Sequence, residues 1–215
     1  MKRHPLWLLP LACLVLGCST LYYGAMEQFG IHKRDLLVDR VQDARNSQSE
    51  TKQQFVSAME QFKRVVNVAG GDLEKEYNAL NATLQKSEAG AAEVRSRVRA
   101  VEEVSEALFD EWRAEIKQYN SDALRDASQK KLGDTRARYT QLITAMKLAE
   151  SKLEPVLMPL RDHVLFMKHN LNARAISGLG SELGAIQANV DTLVHDMESA
   201  IAEADAFIET LRNAP

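Results

Sequence analysis

Beyond residue 18 the chain has no cysteine at all. The body of the protein therefore cannot build a disulfide, a thiolate nucleophile or a zinc site of the cysteine type. It also lacks an apolar run long enough to cross a bilayer as a helix. The run Leu6–Leu16 is interrupted by Pro10 and falls well short of the roughly 20 residues a span needs. No segment alternates apolar and polar residues as a half-buried strand would. Aromatics make up only 6% of the chain, and Gly and Pro number 10 and 5. Ala, Glu, Leu, Lys and Arg dominate instead, a composition that favours long helices. An excess of positive charge is missing too. The formal balance is −3, which gives no reason to expect nucleic-acid binding.

What is present begins at the N-terminus. Lys2 and Arg3 precede the short apolar run, which ends in Leu14-Val15-Leu16-Gly17-Cys18. That layout is a secretory signal with a small residue at the cut, and a cysteine there resembles the bacterial lipoprotein box. The resemblance implies cleavage before Cys18 and acylation of its thiol and amine. Ser19, where aspartate would favour inner-membrane retention, implies the outer membrane and its periplasmic face. Two or more acyl chains anchor stably, at about 0.8 kcal/mol per buried CH₂. Loss of Lys2 and Arg3 leaves 25 of the 27 basic residues against 30 acidic ones, a balance of −5. The chain thus divides into a signal peptide (1–17), a lipid-anchored linker (18–34) and a bundle domain (35–215). Within the linker, Tyr22, Tyr23 and Phe29 with Lys33 and Arg34 form an aromatic, cationic stretch suited to a membrane interface.

The bundle domain is read from a seven-residue rhythm. From Leu73 the steps of four and three give Tyr77, Leu80, Leu84, Ser87, Ala91, Val94, Val98, Val101, Ser105, Leu108, Trp112, Glu115 and Tyr119. Only Ser87, Ser105 and Glu115 interrupt the apolar stripe. Similar stripes run from Leu37 to Ala69, from Leu132 to Leu160 and from Leu179 to Leu211. This spacing predicts long helices in coiled-coil-like contact. Gly70-Gly71-Asp72 and Asn120-Ser121-Asp122 mark the first two turns through glycine stops and N-caps. Pro155 and Pro159 must kink or break the third helix, while Asn170 and Asn172 offer a turn further on. A turn at the asparagines gives four helices of similar length, so every stripe is buried in one bundle. The expected fold is therefore all-α, an elongated antiparallel four-helix bundle. Three long helices plus a proline-broken fourth segment is the alternative.

No catalytic constellation emerges. A bundle metal site would need Glu-x-x-His pairs or His at i, i+4 on facing helices. Glu-x-x-His is absent, His163 and His169 point to different faces, and Asp191 with His195 is half a site at most. No Gly-x-Ser-x-Gly elbow or phosphate-binding loop occurs. The chain is expected not to be an enzyme and to need no metal or cofactor. Gln48 and Thr51 place polar groups on a core stripe, within a stretch (46–54) that has no large apolar residue. A polar layer that fixes helix register is the expected meaning, and an exposed stretch that binds a partner is the alternative.

The segments Gly30–Asp35, Leu36–Ala44, Gly70–Leu73, Glu106–Trp112 and Lys168–Ile176, in that order, resemble a domain-of-unknown-function family of Gram-negative helical lipoproteins. The likeness covers nearly the whole chain after the signal. It implies location and architecture, and it brings no assigned activity, cofactor or partner. Lys168, His169, Asn170, Asn172 and Arg174 are the candidate partner-binding residues, rich in Asn and positive charge. The function expected is a tethered structural or adaptor module that binds another envelope protein or itself through helix–helix contact. A membrane-sensing or membrane-shaping helical module and an enzyme with an unrecognised site are the alternatives.

Overall fold

The computed structural model describes residues 32–67, 72–172, 176 and 178–212. The signal and Cys18, the aromatic residues Tyr22, Tyr23 and Phe29, the Gly70-Gly71 stop and Arg174 lie outside them. Five helices follow in order: α1 (Lys33–Asn67), α2 (Leu73–Ile116), α3 (Asp122–Ser151), α4 (Leu153–His169) and α5 (Leu183–Arg212). A short 3₁₀ turn, Gly178–Ser181, precedes α5. No strand occurs among the described residues.

α3 and α4 together form one arm of an elongated antiparallel four-helix bundle. Lys152, with φ −87° and ψ −9°, stays in the right-handed region, so the chain continues past it without reversing. Pro155 has no N–H to give the Ser151 carbonyl, and its ring crowds that turn. The Lys152 N–H closes the preceding turn onto Ala149 instead, at 3.1 Å. Pro159 is accommodated inside α4. The reversal comes at Asn170, as the equal-length argument expects. At the other turns, Asp72 accepts from the Lys75 N–H at 3.0 Å and Ser121 caps α3.

Cross-helix ion pairs read out the antiparallel register. Asp43 meets Arg97 at 3.2 Å and Lys33 meets Glu111 at 2.9 Å, pairing early α1 with late α2. Arg45 with Asp205 and Lys52 with Glu198, both at 3.0 Å, do the same for α1 and α5. Lys147 with Glu102 and Arg161 with Glu88 align the α3–α4 arm against α2. These pairs are largely solvated and each contributes little. Stability comes from the stripes they flank. Leu37, Phe55, Phe62, Leu142, Met146, Leu157, Leu160 and Phe207 are almost wholly removed from water.

The stripe on α2 departs from its expected course near the end. Glu115 and Tyr119 are exposed, while Phe109 and Ile116 are buried with Leu132 of α3. A straight helix drifts about 20° per heptad against a strict seven-residue repeat. Over 44 residues the buried line migrates to the neighbouring positions. Trp112 sits between the two courses and donates from Nε1 to the Ser128 hydroxyl at 2.9 Å.

At Gly90 α1 and α2 approach closely. A Cβ built there would lie 2.4 Å from Gln54 Oε1 and 2.7 Å from Thr51 Oγ1. Thr51 is β-branched and stiff inside a helix, so it cannot give way cheaply. Gly133, on the exposed side of α3, has nothing within 4 Å. The same substitution therefore has opposite signs at the two sites. Gly133→Ala should stabilise by about 1 kcal/mol through helix propensity. Gly90→Ala should lose that gain to overpacking of about 1–3 kcal/mol and melt at a lower temperature than the parent. Thermal unfolding followed by circular dichroism checks both, and a stabilised Gly90→Ala would contradict the packing described.

Candidate functional surface

Three features of the bundle stand out from a plain apolar core. The first is a set of polar side chains buried along the stripes. Gln48, Thr51, Ser87 and Ser105 are all buried, as the stripe reading expects, and Ser47 joins them. Several of these groups are satisfied locally. Ser87 donates to the Thr83 carbonyl at 3.1 Å and Ser105 to the Glu102 carbonyl at 2.8 Å. The phenol of Tyr139 lies near Ser105 from α3. Burial raises its pKa, partly offset by the Ser105 hydroxyl. Gln48 differs, because neither atom of its side-chain amide has a hydrogen-bond partner among the described residues.

The second feature is the end of the bundle at the third turn. Asn170 uses its side chain to donate to the Phe166 carbonyl at 2.9 Å, and its N–H bonds the Met167 carbonyl at 3.1 Å. The Asn172 carbonyl accepts from the Ile176 N–H at 3.1 Å. The two asparagines, expected among the partner-binding residues, thus terminate α4 and shape the turn. Lys168 and His169 are exposed beside them. His163 is buried one turn earlier, stacked on Phe62 with ring centroids 5.2 Å apart. Its Nε2 lies 3.1 Å from Glu182 Oε2, though not in hydrogen-bond geometry. The buried side of α4 thereby lies close to the residue just before α5. The Asp191–His195 pair does not form; Asp191 accepts from Gln187 Nε2 at 2.6 Å.

The third feature is the outer side of α4. Met158, Leu165 and Phe166 are 57%, 61% and 43% exposed on a single helix. Residues chosen for charge and asparagine missed this face. Its signal was available as apolar residues in α4 outside the inward stripe of Leu153, Val156 and Leu160.

The N-terminal end of the bundle carries a cavity of about 240 Å³, lined by Arg34, Leu108, Trp112, Lys131, Thr135 and Leu211 among others. It has an apolar floor and a charged rim. Lys33, expected at a membrane interface, is committed to Glu111 beside it. Among the described residues no group of three or more His, Cys, Asp or Glu side chains could hold a metal, and no helix is long and apolar enough to cross a membrane.

The model of one family, described as a protein of unknown function (DUF2959), matches residues 22–211. The chain belongs to the DUF2959 family. The match takes in the five described helices, to within one residue of the end of α5. No curated protein matches the chain. The DUF2959 fold thus supplies an architecture without an inherited chemistry, and its surfaces have to be read for themselves. On the α2-facing side of the arm, Arg161 bridges Glu88 and Glu154, and Arg95 reaches Glu154 at 3.2 Å. Glu154 is accordingly held below its ordinary pKa, first by the Arg161 hydrogen bond. Arg95 and Arg97 are therefore engaged with carboxylates within the DUF2959 bundle.

Proposed function

We propose that this chain is an envelope lipoprotein, anchored by acylated Cys18 in the outer membrane of a Gram-negative cell with its bundle in the periplasm. It serves as a tethered structural or adaptor module. Its work is helix-on-helix recognition, and the reading assigns it no catalytic step, substrate or cofactor. One observation carries the proposal: a lipoprotein-like box, Leu14–Cys18, precedes a bundle whose α4 presents large apolar side chains to solvent. Lipid confines such a module to a surface and raises the concentration at which a modest helix contact becomes occupied.

The test is Cys18→Ala in the full chain, followed by cell fractionation. The parent should partition with the outer membrane, and the variant should lose that association. Unchanged membrane fractionation of the variant would remove the anchor and with it the tethering argument.

A further inference from the structure

The cavity at the N-terminal end of the bundle is built by all four arms. α1 supplies Arg34, α2 supplies Leu108 and Trp112, α3 supplies Lys131 and Thr135, and α5 supplies Leu211, around a space of about 240 Å³. Leu108, Thr135 and Leu211 are buried. The polar atoms deep in this lining are already spent. Thr135 donates its hydroxyl to the Lys131 carbonyl at 2.9 Å, and Trp112 donates Nε1 to the Ser128 hydroxyl at 2.9 Å. What these residues have left to offer is methyl and ring surface. A polar group at the floor would lose its water and gain no hydrogen bond there. The space suits an apolar occupant, and a cavity of about 150 Å³ already takes a benzene ring.

The chain itself brings a phenyl ring to this rim. The His32 carbonyl accepts from the Asp35 and Leu36 N–H groups at 2.9 and 3.1 Å, and Lys33 pairs with Glu111 at 2.9 Å. The start of α1 is thereby fixed against α2, next to Arg34. Phe29 comes shortly before His32, within about 10 Å along the chain. Gly30, beside it, tolerates the reversed backbone that folding over the bundle end requires. Tyr22 and Tyr23 are further off, and each would bury a hydroxyl for which the floor has no partner. Phe29 needs none. The DUF2959 match begins at residue 22, so it counts this stretch with the helices, while the apolar run and Cys18 precede it. An occupant on the same chain also has a high effective concentration, which a separate molecule has to match.

We propose that Phe29 plugs this cavity: the segment just before α1 folds back over the bundle end and seats its ring against Trp112. Aromatic pairs of this kind contribute beyond the area they bury. The plug withdraws Phe29 from the membrane interface and leaves Tyr22 and Tyr23 to it. The seat goes beyond the tethered-module reading and needs no lipid. Its consequence for the tether does rest on that reading. With Cys18 acylated, residues 19–28 alone reach from the membrane to the cavity, at most about 35 Å. The bundle end is then held near the bilayer instead of swinging on the whole linker.

The experiment uses the purified full chain with Trp7→Phe, which leaves Trp112 as its single tryptophan. Phe29→Ala should raise acrylamide quenching of Trp112 about twofold and lower the thermal midpoint by about 5 °C. Tyr22→Ala and Tyr23→Ala should change neither. Circular dichroism checks that helix content is kept, since Phe29 precedes every described helix. Proximity is read separately from Gln28→Cys with Lys131→Cys, in a chain carrying Cys13→Ser and Cys18→Ser and treated with a short bis-maleimide. An adduct should form within one chain, and adding Phe29→Ala should slow it about threefold. Equal quenching in parent and Phe29→Ala, an adduct indifferent to Phe29→Ala, or a tyrosine effect as large as that of Phe29 would overturn the plug. An adduct between two chains would give the cavity to a second copy. An apolar molecule retained in the native mass spectrum would give it to a ligand. Either result also overturns the plug. None of these readings depends on lipid, so the Cys18→Ala fractionation and the plug can each fail alone.

Discussion

Gln48→Leu is expected to raise the thermal midpoint by about 5 °C. Gln48 is fully buried, and neither its Nε2 nor its Oε1 has a hydrogen-bond partner among the described residues. A buried amide group left unpaired costs about 1–3 kcal/mol, and leucine fills similar space without that cost. For a domain of this length each kcal/mol moves the midpoint by about 2–4 °C. The register explains why the site tolerates an amide. Arg45–Asp205 and Lys52–Glu198 bracket it on α5, which sets Gln48 level with the small, buried Ala200 and Ala204. On α2, Asp43–Arg97 and the Thr51–Gly90 contact bracket Ala91 and Val94. Gln48→Ala should not reproduce the gain, because it trades the unpaired amide for a void. Denaturant and thermal melts of parent, Leu and Ala variants decide the matter. A Leu variant destabilised by more than about 1 kcal/mol would mean that bound water satisfies the amide.

The buried polar residues show how far the sequence could be read. Four stripes of three-and-four spacing predicted which residues are buried, and from Leu37 to Val65 and from Leu80 to Leu108 every expected stripe position is buried. The rhythm was legible because one physical requirement, a continuous apolar line on each helix, acts at every turn. Gln48, Thr51, Ser87 and Ser105 were legible for the same reason, as departures from that line. The end of α2 was not. The drift that replaces Glu115 and Tyr119 with Phe109 and Ile116 accumulates along the whole helix, and α3 decides where it is absorbed. The prolines announced a kink but not its position at Lys152. Asn170 and Asn172 looked like recognition residues because asparagine serves both turns and partners. The sequence offered them for both, and the hydrogen bonds they make bear out the turn. The outer stripe of α4 was hidden because Val156, Leu157, Leu160 and Val164 lie between its members, so the segment reads as apolar on all sides. Knowledge of which side faces α2 and α5 is needed before Met158, Leu165 and Phe166 become conspicuous.

Phe62→Ala is expected to have the larger cost, about 4 kcal/mol, or roughly 10 °C in thermal midpoint. Phe62 is fully buried near the end of α1 and supports the third turn from below. Its ring carries that of His163 at 5.2 Å, and His163 in turn lies 3.1 Å from Glu182. Val66, one helical turn later, stands 3.6 Å from the position a Cβ would take on Gly180. Removal of the ring therefore takes away the platform for the end of α4 as well as its own buried area. Phe55→Ala provides the comparison, since Phe55 is equally buried but lies in the middle of α1. The two variants should lose similar global stability. They should differ in native-state hydrogen exchange, which resolves local opening from global unfolding. In Phe62→Ala the amides of the last two turns of α4 and the first turn of α5 should exchange well before the rest, whereas in Phe55→Ala they should keep their rank. Equal protection patterns would show that the third turn is held by its own asparagines and not by the end of α1. The distinction matters for α4, because its exposed apolar residues Leu165 and Phe166 lie in these last turns.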